Sequence, residues 1–161
     1  MSLQYIVDAY NLTNHPRFKL ITRAVNIQHS LADFIRINKL TGSKNNKVIL
    51  VFDGYPPQNQ DLPENDGLTC MFSRKIEADE LIKKIVEESG SVRNIIVISD
   101  DKQVQLASRL LHAQVCGVEE FICGKKDKRI ARVEKVDANG AELTYSAMQK
   151  INAELKKRWL A

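Results

Sequence analysis

Four short apolar runs, three of them stopping at an aspartate, constrain this chain more than any other feature in it. Leu3-Gln4-Tyr5-Ile6-Val7 ends at Asp8, and Val48-Ile49-Leu50-Val51-Phe52 ends at Asp53. Asn94-Ile95-Ile96-Val97-Ile98-Ser99 runs into Asp100 and Asp101, and residues 68–72 form the fourth run. Runs this short with so little polar alternation read as strands buried on both faces, the habit of parallel sheets. Ala113-Gln114-Val115-Cys116 reads as a fifth, shorter strand.

Segments with helical spacing lie between these runs. After Thr13-Asn14-His15-Pro16, the residues Leu20, Ala24, Ile27, Leu31 and Phe34 recur every three or four positions, predicting one long helix that ends near Gly42. Leu81, Ile82, Ile85 and Val86 predict a helix over 77–88, and Val104, Ala107, Leu110 and Leu111 another over 102–112. Val118-Glu119-Glu120-Phe121 reads as a helical turn. Residues 54–67 hold three of the four prolines and form a surface loop. Strands alternating with helices imply an α/β fold, a three-layer α/β/α sandwich on a mainly parallel sheet. Such sheets take ligands beyond the C-terminal strand ends, where the strand order reverses.

Composition excludes several classes. With 161 residues, 43% hydrophobic and 27% charged, the chain suits an ordinary folded domain. No run approaches the ~20 apolar residues of a membrane helix, and no apolar leader follows Met1, so a cytoplasmic protein without membrane association is expected. Three cysteines without CxxC spacing and three scattered histidines support neither a disulfide framework nor a zinc site. The net charge of +4 is unevenly placed: residues 124–161 carry ten Lys and Arg against five Asp and Glu, whereas residues 1–123 carry fourteen against fifteen. The chain thus divides into a domain over 1–123 and a basic C-terminal extension over 124–161, whose terminal helix at 146–159 is expected to pack on that domain. Asp137-Ala138-Asn139-Gly140 reads as a tight turn within the extension. The cluster beginning at Lys125, Lys126, Lys128 and Arg129 attracts polyanions, RNA among them, or serves as a solvated tail.

Asp8, Asp53, Asp100 and Asp101 all follow strands and should leave the sheet at one edge, joined by Asp79 from the first turn of the helix after the third strand. Two carboxylates ~4 Å apart repel by roughly 4 kcal/mol at an effective dielectric near 20. Helix N-termini at Asp79 and Asp101 offset only ~0.3–1 kcal/mol each. A cation, protonation or splayed side chains must relieve the remainder. Hard oxygen donors select Mg²⁺ or Mn²⁺, and the work suited to such a site is phosphodiester hydrolysis. Taken singly, each acid reads more simply as a cap or turn residue; Asp53, in an Asp-Gly pair, does so most readily.

Ile6-Val7-Asp8-Ala9-Tyr10-Asn11-Leu12 resembles the opening "(I/V)DGYN(L/V)" of the NYN domains, part of the PIN-like nuclease superfamily. Val51-Phe52-Asp53-Gly54, Ala78-Asp79-Glu80-Leu81-Ile82, Ile98-Ser99-Asp100 and Val118-Glu119-Glu120-Phe121 follow in the order found in its YacP-like branch. The resemblance covers about residues 3–123 and implies an Mg²⁺- or Mn²⁺-dependent endoribonuclease on a PIN-like sandwich. Carried over by position, it makes Asp8, Asp79 and Asp100 the core metal carboxylates and Asn11 the polar partner of Asp8. Asp101 stands as an extra ligand or a helix-start acid, and Ala9 replaces the usual glycine.

RNA is then the expected partner, with delivery by a larger RNA–protein assembly left open along with the oligomeric state. Arg74, Lys75 and Lys102 adjoin the acidic edge and either take neighbouring phosphates or are ordinary surface charges; Lys125 and Lys126 are the stronger RNA-binding candidates. Tyr10 and Tyr55 also adjoin it, with core packing or loop anchoring as the first expectation and base stacking as the second. Two other functions remain open: a non-catalytic RNA-binding NYN module, and a receiver-type phosphoacceptor domain using Asp53, which would lack the acidic pair and the lysine of that class.

Overall fold

The computed structural model describes residues 1–21, 26–64 and 67–124. The basic extension, its turn at 137–140, its terminal helix and Lys125 and Lys126 lie outside the described residues. Residues 1–122 form one compact unit. Its five strands are β1 (Gln4–Asp8), β2 (Lys47–Phe52), β3 (Leu68–Phe72), β4 (Ile95–Ile98) and β5 (Gln114–Cys116), in the order β3-β2-β1-β4-β5. Every pairing is parallel. The sheet is therefore an α/β sheet of the expected kind, and its order reverses between β1 and β4.

Helices cover both faces, because each strand alternates its side chains between two cores. Val7, Leu50, Phe52, Cys70 and Ile98 face one core; Ile6, Val51, Ile95 and Val97 face the other. The first core is closed by α1 (Ala9–Asn14), α2 (Pro16–Ile21), α3 (Ile27–Ile37) and a helical segment at 118–124. Phe18 and Phe34 meet there edge to face, ring centres 5.4 Å apart, while Val118 and Phe121 are buried beside them. The second core is closed by α4 (Ala78–Glu87), through Ala78, Ile82 and Val86, and by α5 (Lys102–Leu110), through Val104.

One expectation is overturned. The long helix predicted from Pro16 towards Gly42 is two helices, and a further short one, α1, precedes it. The physical reason is Asn26, whose side chain accepts the Gln28 and His29 amides at 3.0 and 3.2 Å and so starts α3 afresh. An asparagine satisfies a helix start better than it satisfies a helix interior. The apolar spacing continues across the break, so periodicity alone does not reveal it.

Candidate active site

Asp8 closes β1 on the face shared with Ile6, the side of the sheet that α4 and α5 cover. It is 3% exposed. One carboxylate oxygen, Oδ1, accepts the Asn11 amide at 3.2 Å and caps α1. The other accepts the Asn11 side-chain amide and, at 3.1 Å, the Ser99 hydroxyl. Ser99 is itself fully buried and accepts Asn11 Nδ2 at 3.2 Å and the Asp101 amide at 3.1 Å. Gln105, from α5, donates to the Ser99 carbonyl at 2.7 Å. Asp8 therefore receives only neutral donors, and no Lys, Arg or His forms an ion pair with it among the described residues.

Two further acids belong to the same charge environment. Asp79 lies in the first turn of α4 and Asp101 caps α5, accepting the Gln103 and Val104 amides at 2.7 and 3.3 Å. The Asp79 carboxyl is held above the usual aspartate range, first by burial and then by the charges of Asp101 and Asp8; Glu77 adds to this and Lys83 opposes it. Asp8, Asp79 and Asp101 thus share one electrostatic neighbourhood at the point where the strand order reverses.

The other two acids are turned to structural work through the oxygens they commit. Asp100 is exposed, and its Oδ1 accepts the Val118 amide at 2.8 Å, capping the segment at 118–124 on the opposite face. Strand alternation explains this: Ser99 follows Val97 onto the Asp8 side, so Asp100 follows Ile98 onto the other. Asp53 uses Oδ1 to accept the Ser73 hydroxyl and the Ala78 amide, both at 3.0 Å. It thereby supplies the cap of α4 that Glu77, at the N-cap position, does not make with its side chain.

Arg74, Lys75 and Lys102 are exposed along the same edge, and none forms a salt bridge among the described residues. Tyr10 and Tyr55 are 70% and 64% exposed, so neither packs in the core. Sequence reasoning passes over Ser99 and Gln105. No signal in the sequence singles them out: it is the register of the folded sheet, with Val7 paired to Ile98, that sets the next residues, Asp8 and Ser99, side by side.

Among the described residues, no group of three or more His, Cys, Asp and Glu side chains is arranged to hold a metal ion by itself. The donor set still fits a hard divalent cation. Its groups are carboxylate oxygens in mutual repulsion, and Mg²⁺ takes only one or two direct carboxylates, filling its octahedron with water and phosphate oxygens.

A doubly wound parallel sheet with a buried carboxylate at its switch point defines an α/β domain with an acidic edge site. Within that class, the chain belongs to the YacP-like NYN domain family, which matches it over residues 5–160. This is a family of PIN-like nucleases. Two crystal structures of Rae1 (YacP) from Bacillus subtilis share the fold, one of them of a mutant. The mutant is 19% identical with a TM-score of 0.55, over 94% of this chain and 90% of that one. The other is 20% identical with a TM-score of 0.55, over 99% of this chain and 94% of that one. No curated protein matches the chain significantly by sequence.

The strand order also separates this sheet from the receiver class, whose order is 2-1-3-4-5. Asp53, the acid that class would phosphorylate, is the α4 cap. No helix among the described residues is long and apolar enough to cross a membrane.

Proposed function

We propose that this chain is a metal-dependent endoribonuclease, hydrolysing RNA phosphodiester bonds at the edge where Asp8, Asp79 and Asp101 converge. The observation that carries the reading is Asp8, a carboxylate 3% exposed that has only neutral donors and whose charge acts on Asp79. Its three hydrogen bonds offset part of the cost of taking such a charge from water, and a bound cation would offset more. Asp8 and Asp79 would hold Mg²⁺ or Mn²⁺, with Asp101 adding charge at the rim. Asp100 can contribute through Oδ2, since its Oδ1 is committed to Val118. Bound there, the ion would acidify a water and neutralise charge on the leaving oxygen.

The chain's own residues do the rest. Asn11 and Ser99 fix the Asp8 carboxylate, so that it does not have to reorganise when a substrate arrives. Arg74, Lys75 and Lys102 would take phosphates flanking the scissile bond, and the charges of Lys125 and Lys126 would add to the attraction for RNA.

The test is cleavage of a structurally mixed RNA by purified protein in Mg²⁺ or Mn²⁺, with the Asp8→Asn, Asp79→Asn and Asp100→Asn variants beside it. Asp8→Asn and Asp79→Asn should each lower the rate by ~100-fold or more. Asp100→Asn reports whether its second oxygen takes part. Parental cleavage retained in Asp8→Asn would overturn the assignment. If the parent binds RNA and cleaves none in either ion, the chain is a binding module.

A further inference from the structure

We propose that Tyr10 and Tyr55 are stacking platforms for unpaired bases of a single-stranded RNA laid across the C-terminal edge of the sheet. This deepens the nuclease reading and rests on it. Tyr10 occupies the first turn of α1, whose inward positions, Ala9 and Leu12, are buried while Tyr10 itself is 70% exposed. Tyr55 stands two residues beyond Asp53 and is 64% exposed. Neither ring pairs with another aromatic ring among the described residues. Both leave the same rim: Asp8 pairs in register with Val51, so β1 and β2 end side by side, ~4.8 Å apart.

The charges on that rim complement a nucleic-acid strand. Arg74, at the end of β3, sits in left-handed backbone at φ 58° and donates its amide to the Gly54 carbonyl at 2.8 Å. That contact fixes where its side chain starts, beside the loop that bears Tyr55. Arg74 and Lys75 make no ion pair among the described residues, whereas Arg17, Arg36 and Lys84 each do. Exposed rings on a rim that also carries cations without ion pairs among the described residues match an unpaired strand, whose bases offer π-faces and whose phosphates lie between them. A duplex keeps its bases stacked on one another and offers these rings nothing.

The experiment measures binding apart from cleavage, by anisotropy of labelled ribo-oligonucleotides of about 12 nucleotides in EDTA. Tyr10→Leu and Tyr55→Leu should each weaken single-strand binding by about 5- to 100-fold, while Tyr10→Phe and Tyr55→Phe stay within about twofold. An abasic nucleotide walked along the strand should reproduce the loss at one or two positions in the parent and add nothing in the matching leucine variant. Both rings are in water, so melting temperatures should remain at the parental value and certify folding. Leucine variants that bind like the parent, or a duplex that binds as tightly as the single strand, overturn the proposal. The catalytic reading fails separately: Asp8→Asn cleaving at the parental rate would sink it while leaving a stacking result intact.

Discussion

At the residue scale, Ser99 and Asp79 carry opposite loads. The Ser99 hydroxyl serves three partners at once, and its loss leaves Asp8 Oδ2 and the Asp101 amide short of a hydrogen bond. Ser99→Ala should cost about 1–3 kcal/mol in urea unfolding and lower cleavage with it. Asp79 is the reverse case. Its carboxyl is raised above the unfolded value near 3.8, so the folded state holds that proton more tightly and ionisation works against folding. The penalty is absent below about pH 3.8 and complete once the pH passes the raised folded value. Asp79→Asn should therefore be more stable than the parent at pH 7 in EDTA, and no more stable at pH 3. Solvent screens this half-buried group, which keeps the gain on the order of 0.5 kcal/mol. Thermal melts at the two pH values check it, and a variant less stable at pH 7 would show that the acids do not repel.

At the scale of elements, the caps come from unexpected places. Asp53 reaches from the end of β2 to the Ala78 amide and so ties the start of α4, and with it Asp79, to the sheet. Asp53→Ala should destabilise by about 0.5–2 kcal/mol, read by denaturant unfolding. The strands were legible because buried parallel strands have few alternatives to unbroken apolar runs. Residues 68–72 were placed to the residue, and α4 and α5 to within a residue or two. What stayed hidden depended on single side chains choosing a backbone partner. Asn26 interrupts a continuous apolar stripe, and Asp8 starts a six-residue helix whose sequence gives no periodic signal. The acidic edge was legible as an edge, but its division was not. Asp100 and Asp101 are adjacent in the chain, yet one is committed to Val118 while the charge of the other acts on Asp79.

At the scale of the whole molecule, an ion held by Asp8 and Asp79 as proposed would bind the folded state in preference to the unfolded chain. Millimolar Mn²⁺ should then stabilise the parent, by about 2.7 kcal/mol when the ion is at 100 times its dissociation constant, and raise its melting temperature accordingly. The rise should shrink in Asp8→Asn and in Asp79→Asn. A parent that melts identically in Mn²⁺ and EDTA would remove the ion from the account.

The placing of β1 has a consequence in time as well as space. This first strand lies in the middle of the sheet, and Asp8 is clamped by a hydroxyl 91 positions later. A polypeptide emerging from synthesis can pair β1 with β2 and β3 early, but Asp8 gains its Ser99 clamp, and Asp101 its place, only after β4 has docked. A chain interrupted before that point carries the opening motif without the hydroxyl that clamps its aspartate. The order of the strands thus sets the order of assembly: the first aspartate made is among the last to gain its full set of hydrogen bonds.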